Sequence, residues 1–417
     1  MNKKIESMSR TMKDSGIPWI GEIPEGWSID TIGNLYALRN EKVSDKDYPP
    51  LSVTKQGIVP QLETAAKTDD GDNRKLVKVG DFAINSRSDR RGSCGISAYD
   101  GSVSLINTVI TPREQMNPCF YNWLFHSELF ADEFYKWGHG IVDDLWTTRW
   151  QEMKRIGIIT PPLAEQHLIA TFLDKKCSEI DSLIDLQEQM IEELKAYKQS
   201  VITEAVTKGI RNEELGIRNY KDSGIEWIGD VPEEWEVKRL KYAAERHSQK
   251  VCDEVLPYIG LENIESFSEN FIETSNEYDI NQAQVCSVND VIFGKLRPYL
   301  GKAMVVKSEH CCSSEFLILR GGEVPSYLRY LMLSNWFIEI VNSSTYGTKM
   351  PRANSDFIMN MKVAFPPAYE RKAIADYLDK KCGEIDELIT IKQQKIESLK
   401  EYKKSVIYEY VTGKREV

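Results

Sequence analysis

The sequence predicts an α+β protein: two α/β domains related by pseudo-twofold symmetry, separated by two long helices that form an antiparallel coiled coil. Three observations predict it. The 417-residue chain is one unit written twice. Each copy closes on a long apolar stripe at helical spacing. Between the shared ends lie short alternating apolar runs punctuated by turn residues.

The repeat is plain at the ends of each copy. Asp14-Ser15-Gly16-Ile17-Pro18-Trp19-Ile20-Gly21 returns as Asp222-Ser223-Gly224-Ile225-Glu226-Trp227-Ile228-Gly229, and Trp27 returns as Trp235, at an offset of 208. Pro161-Pro162 returns as Pro366-Pro367, and Leu173-Asp174-Lys175-Lys176-Cys177 as Leu378-Asp379-Lys380-Lys381-Cys382, at an offset of 205. Residues 172–207 match 377–412 at 23 of 36 positions. The middles barely match, with Gly80-Asp81 beside Asn289-Asp290 as a faint anchor. Frames that stay alike around middles that diverge are what two binding heads with different targets require. The boundaries that follow are 1–160 for the first domain and 161–208 for a helical spacer. A linker at 209–221 leads to a second domain at 222–365 and a second helical spacer at 366–417. In the linker, Gly209-Ile210-Arg211-Asn212 is echoed by Gly216-Ile217-Arg218-Asn219.

The helical stripe runs through Ile180, Leu183, Ile184, Met190, Ile191, Leu194, Tyr197 and Val201, and again through Ile385, Leu388, Ile389, Ile396, Leu399, Tyr402 and Val406. Neither Pro nor Gly interrupts 175–206. Ile180, Leu194 and Val201 share one heptad position; Leu183, Met190 and Tyr197 share the other. The predicted pairing residues are Ile180, Leu183, Leu194, Val201, Ile385, Leu388, Leu399 and Val406. A rod of this length, roughly 45–50 Å, needs a partner for its apolar face. Its simplest partner is its own copy, antiparallel, with Gln187 near Lys392 and Lys395.

Each middle reads as an α+β head. Apolar runs at Val79–Ile84, Val103–Ile110, Val285–Phe293, Ala303–Lys307 and Phe316–Leu319 predict strands; 121–136 and 326–341 predict helices. Basic residues cluster in corresponding places. The first head has Arg74, Lys75, Lys78, Arg87, Arg90 and Arg91, with Arg149 beyond Gly138-His139-Gly140 and Thr147-Thr148. The second has Lys295, Arg297, Lys302 and Lys307, then Lys349 and Arg352 beside Thr345-Tyr346-Gly347. An arginine fork can bind guanine bidentately and an ammonium can neutralise phosphate, so the clusters point to nucleic acid. The candidate DNA contacts are Arg74, Lys75, Arg87, Arg90, Arg91, Arg149, Lys295, Arg297, Lys302, Lys349 and Arg352. The net charge of −11 argues mildly the other way, but only a local basic surface is needed.

Catalytic patterns were sought without success. Asn117-Pro118-Cys119-Phe120 has the wrong third residue for an adenine methyltransferase motif, and no glycine-rich cofactor loop accompanies it. Gly301-Lys302-Ala303 lacks the hydroxyl and the upstream glycine of a phosphate loop. The five histidines show no ligand spacing, and His310-Cys311-Cys312 reads as a buried cluster ahead of a metal site. No catalytic residue, metal ligand or cofactor is expected on this chain. The eight cysteines lack paired zinc spacing and read as reduced thiols. No apolar stretch follows the basic start and none is long enough to span a membrane, so the expected location is the cytoplasm.

Asp222-Ser223-Gly224-Ile225-Glu226-Trp227-Ile228-Gly229, followed by Pro232 and Trp235, resembles the opening of target-recognition domains in specificity subunits of type I restriction-modification systems. So do the run from Asp290 through Lys295, Arg297, Pro298 and Gly301 to Lys302, and the Pro366-Pro367 start of the Leu378-Asp379-Lys380-Lys381 helix. The resemblance covers nearly the whole chain. It implies a non-catalytic subunit whose two recognition domains each read one half of a bipartite double-stranded DNA target, with the helices setting the spacer. It implies two methylation subunits as partners, restriction and translocase subunits reached through the complex, and no membrane. S-adenosylmethionine, ATP and Mg are then expected on the partners. In the first head, Ala83-Ile84-Asn85-Ser86-Arg87 stands in place of the Lys-Leu-Arg-Pro run. The alternatives are a coiled-coil scaffold without DNA contact, a recognition subunit of a related methyltransferase or nuclease system, and a single-chain enzyme with fused recognition.

Overall fold

The computed structural model describes residues 10–61, 71–87, 90–113, 116–140, 146–210, 219–249, 256–274, 283–320, 322–347 and 349–417. Most of the duplicated linker segment, 211–218, lies outside them. The chain divides into two compact units, Met1–Leu186 with Lys395–Val417, and Gln187–Gln394. Each therefore takes part of both long helices, Leu163–Lys208 and Ala368–Val411. Among the described residues no helix is long and apolar enough to cross a membrane.

The repeated opening motif is a backbone device. Asp14 Oδ1 accepts from Gly16 N at 2.9 Å, and Asp222 Oδ1 from Gly224 N at 2.9 Å. Gly16, Gly21, Gly224 and Gly229 all have φ between +65° and +72°. A side chain would be strained there, which explains why the glycines recur. The tryptophan that follows is fully buried in each unit. Trp27 Nε1 donates to Glu165 Oε2 and Trp235 Nε1 to Glu370 Oε2, both at 2.9 Å. Each bond ties the head to the first turn of its long helix.

Each head carries the same antiparallel four-stranded sheet. In the first unit the order is Cys94–Ile96, Phe82–Asn85, Asn107–Pro112, Tyr36–Arg39; in the second it is Ala303–Val305, Asp290–Gly294, Phe316–Arg320, Glu245–His247. Two helices follow, Pro118–His126 with Glu128–Lys136, and Pro325–Leu333 with Asn335–Ser343. The sequence reads each pair as one helix. Ser127 breaks the first: its hydroxyl donates to Leu124 O and accepts from Phe130 N, stopping one helix and capping the next. Likewise the run predicted at Val285–Phe293 is two strands, parted by Asn289 at φ +69°.

The first core joins Trp27, Tyr36, Phe82, Phe120, Tyr121 and Phe125 to Leu173 and Cys177 of one long helix and Val406 and Tyr410 of the other. The second joins Trp235, Phe293 and Tyr327 to Val201 and Ile202, and to Leu378 and Cys382. The helices run antiparallel in both units. In the first, the Phe172 and Tyr410 rings lie 4.3 Å apart, and Asp181 meets Lys403 at 2.6 Å. In the second, Gln187 Oε1 accepts from Lys392 at 3.5 Å and Asp386 meets Lys198 at 2.7 Å. Lys198 and Lys403 are repeat equivalents, as are Asp181 and Asp386.

Six of the eight expected pairing residues line the seam. Ile180, Val201, Ile385 and Val406 are buried, and Leu194 and Leu399 half-buried. Leu183 and Leu388 are not pairing residues: each is 47% exposed. The second seam line runs instead through Cys177, Ile184, Ile191, Lys198 and Ala205, and through Cys382, Ile389, Ile396, Lys403 and Tyr410. Apolarity alone favoured Leu183, Met190 and Tyr197, but the seam places a lysine where the apolar pattern would put a leucine. Lys198 is admitted because its ammonium is met by Asp386 and by Phe267 O at 3.0 Å.

Glu370 is 1% exposed, whereas the Glu165 side chain is 31% exposed and also pairs with Arg10 at 2.6 Å. Trp235→Phe should therefore cost about 1.5–3 kcal/mol, the range for a buried bond to a charged group. Trp27→Phe should cost less. Denaturant midpoints of the full chain check the order; equal losses would contradict it.

Candidate nucleic-acid interface

Three of the predicted contacts are internal braces. Arg74 is 4% exposed, with Nε donating to Ser102 Oγ at 2.8 Å and Nη2 to Ser102 O at 3.0 Å. Lys75 Nζ donates to Asn107 O and Lys302 Nζ to Leu261 O, both at 2.6 Å. Burial pushes all three below their usual values. Arg74 and Lys75, on opposite faces of one strand, and Lys302, just before another, each reach a backbone carbonyl, which a count of basic residues cannot foresee. As surface readers, Arg74, Lys75 and Lys302 are withdrawn.

The remaining cations converge. In the first head Arg87 forms an antiparallel bridge with Thr147, which also bridges His139, and exposed Arg149 lies two residues on. Arg90 N donates to Arg87 O in the turn that follows, and Arg91 pairs with Asp132. In the second head Leu296 bridges Arg352, which also bridges Tyr346. Arg297 N donates to Pro351 O at 2.7 Å and Ala353 N to Lys295 O at 2.9 Å. Lys295, Arg297 and Arg352 thus meet at one junction, with exposed Lys349 in the loop it closes. Gly347 at φ +91° makes that loop tight enough to return. Burial lowers the Lys295 ammonium, Arg246 and Arg352 push the same way, and Glu315 opposes them.

The backbone bonds fix how the two junctions correspond. Thr148 N donates to Ser86 O as Ala353 N does to Lys295 O, and Ser86 N to Ile106 O as Lys295 N does to Glu315 O. Arg87 therefore matches Leu296, and Ser86 occupies the place of Lys295. Residues 88–89 lie outside the described residues. Glu315, seated among the cations, escaped the sequence reading, and Tyr346, seen there beside the cations but not counted as a contact, is 61% exposed in the loop, as is Met350. Glu315 is distant in sequence from its partners, so only the strand register could reveal it. The Tyr346 signal was present, since an aromatic beside a turn glycine and two cations suits base stacking.

Among the described residues no group of three or more His, Cys, Asp or Glu could hold a metal ion. His310 Nδ1 lies 2.7 Å from Ser308 O, and Cys311 and Cys312 are fully buried in the sheet.

The family model for the type I restriction modification DNA specificity domain matches residues 228–401. The type I restriction enzyme MjaVIII specificity subunit of Methanocaldococcus jannaschii is 26% identical over 94% of this chain and 93% of its own length. The likeness to type I specificity subunits thus extends along nearly the whole chain. The EcoDI specificity subunit of Escherichia coli is 22% identical over 85% of this chain and 81% of its own. Solved structures share the fold. One chain, from a study of complex assembly and conformational transition of the type I restriction-modification system, superposes with a TM-score of 0.70 at 13% identity, covering 94% of this chain and 99% of that one. The HsdS subunit from Thermoanaerobacter tengcongensis gives 0.53 at 16% identity, covering 94% and 98%.

The buried and exposed cations of this chain should separate in experiment. Arg74→Ala should destabilise the first unit by about 1.5–3 kcal/mol through the lost charged bonds. Arg149→Ala, a surface change, should stay within about 0.5 kcal/mol. Thermal unfolding checks both, and an unperturbed Arg74→Ala protein would contradict the bracing role.

Proposed function

We propose that this chain is a type I specificity subunit that reads DNA sequence, each head contacting one half of a bipartite target, while the paired helices hold the half-sites at a fixed spacing and carry two methylation subunits. The observation that carries the reading is the junction described above, built on the same backbone bonds in both heads and furnished with exposed cations in each. Cations at a surface junction bind phosphate, and an arginine fork adds base readout. S-adenosylmethionine then acts on the methylation subunits, and ATP and Mg on the restriction and translocase subunits.

The docking faces follow from the corrected seam. Leu183 and Tyr402 each precede a seam residue by one position, so they share a flank of the antiparallel pair in the first unit. Leu388 and Tyr197 do the same in the second. All four are roughly half exposed, as are Leu186 and Ile391. The apolar patch is thus present twice at repeat-equivalent positions, which suits two copies of one partner with an apolar helical surface. Because both patches lie on the helices, docking leaves the head junctions free for DNA.

In a reconstituted complex, duplex binding should weaken steeply with salt. Leu183→Glu with Leu186→Glu should remove one methylation subunit, and Leu388→Glu with Ile391→Glu the other. Sedimentation gives the stoichiometry; two subunits retained by either variant, or salt-insensitive DNA binding, would overturn the reading.

A further inference from the structure

The two junctions share a backbone and differ in every side chain at three corresponding places. The second head has Lys295, Glu315 and Arg352; the first has Ser86, Ile106 and Thr147. Arg352 is held by Glu315 through both guanidinium edge atoms, Nε to Oε2 at 2.8 Å and Nη2 to Oε1 at 2.5 Å. That uses one edge of the fork. The Nη1–Nη2 edge remains, with the two parallel donors that guanine O6 and N7 accept. The Arg352 side chain is 45% exposed and that of Glu315 24%, so the pair sits at the surface with the acid on the inner side. Glu315 is itself placed by the turn before its strand, its N–H donating to Ser313 Oγ at 3.2 Å. In the first head Ser86 turns its hydroxyl inward to Thr108 Oγ1 at 2.9 Å, and Ile106 and Thr147 offer no charge.

We infer that this three-residue junction determines base preference, with Arg352 contacting guanine in the second head's half-site and Glu315 acting as its positioning residue. This rests on the DNA-reading function above. An acid inside a basic surface lowers affinity for phosphate in general, and its gain is direction: a guanidinium clamped along one edge can present only the other. A free arginine would serve any nearby phosphate. The first head lacks the fork at this place and reads its half-site with other groups.

The test uses the full chain assembled with its methylation subunits, selected against a pool of duplexes randomised at both half-sites and sequenced. Arg352→Ala should relax preference at one base pair of one half-site by on the order of tenfold to a hundredfold, leaving the other half-site unchanged. Arg352→Lys should not restore it, because a point charge lacks the fork. Glu315→Ala should relax the same base pair without loss of total affinity, while Glu315→Asp should keep part of the preference. An equal loss on all sequences would make Arg352 a phosphate contact, and unchanged preferences would remove it from the interface; either overturns the inference. If the unsubstituted complex selects no sequence at all, the DNA-reading function itself falls.

Discussion

The structure depends on the antiparallel seam of the two long helices, and above all on the paired contacts Lys403–Asp181 and Lys198–Asp386. The lysines occupy equivalent positions in the two repeats, as do the aspartates. A seam that pairs each repeat with the reverse of the other needs only one set of side chains, used twice. The cost is a charge at a seam position. Lys198 is 7% exposed and tolerates it because a carboxylate and a backbone carbonyl complete its hydrogen bonds. Lys403 is less buried, and Asp181 meets its ammonium. A polar pair at a seam also fixes register, since a slip by one turn would strand the ammonium.

From that seam the heads follow. Each long helix starts and ends against a head, so the helix tips carry core residues while the middles carry the seam. Trp27 and Trp235 fasten the first turn of each helix to the head before it, through Glu165 and Glu370. What lies between this frame and the outer surface is free to change, because the sheet's backbone bonds and not its outward side chains set the junction. Ser86, Ile106 and Thr147 can stand where Lys295, Glu315 and Arg352 stand without disturbing the strands beneath. The arrangement keeps the shared frame in the repeated parts and the variation in the parts that do not repeat.

The frame was legible in the sequence for the same reason. Repetition marked the glycine turns, the tryptophans, the helix starts and the antiparallel pairing, down to Gln187 beside Lys392. The failures came where chemistry and position part company. Leu183 and Leu388 are apolar yet outside the seam, because an exposed flank can be as apolar as a seam and only spacing against Lys198 and Lys403 distinguishes them. Arg74, Lys75 and Lys302 are basic yet internal, because long cationic chains also satisfy buried carbonyls. Glu315 was invisible because its importance comes from cross-strand neighbours far away in the chain. The strand register was needed to say which of the basic side chains reach the surface junctions.

The central claim is that the two heads are independent readers set in one repeated frame. Replacing residues 28–160 with 236–365 joins the frame at Trp27 and at Pro161, where the repeats coincide. Mapping methylated sites in cells that carry this duplicated-head chain with its methylation subunits tests the claim most directly. The account predicts a symmetric target holding the second head's half-site twice, inverted. A target that keeps the first head's half-site, or methylation at one half-site alone, would contradict it.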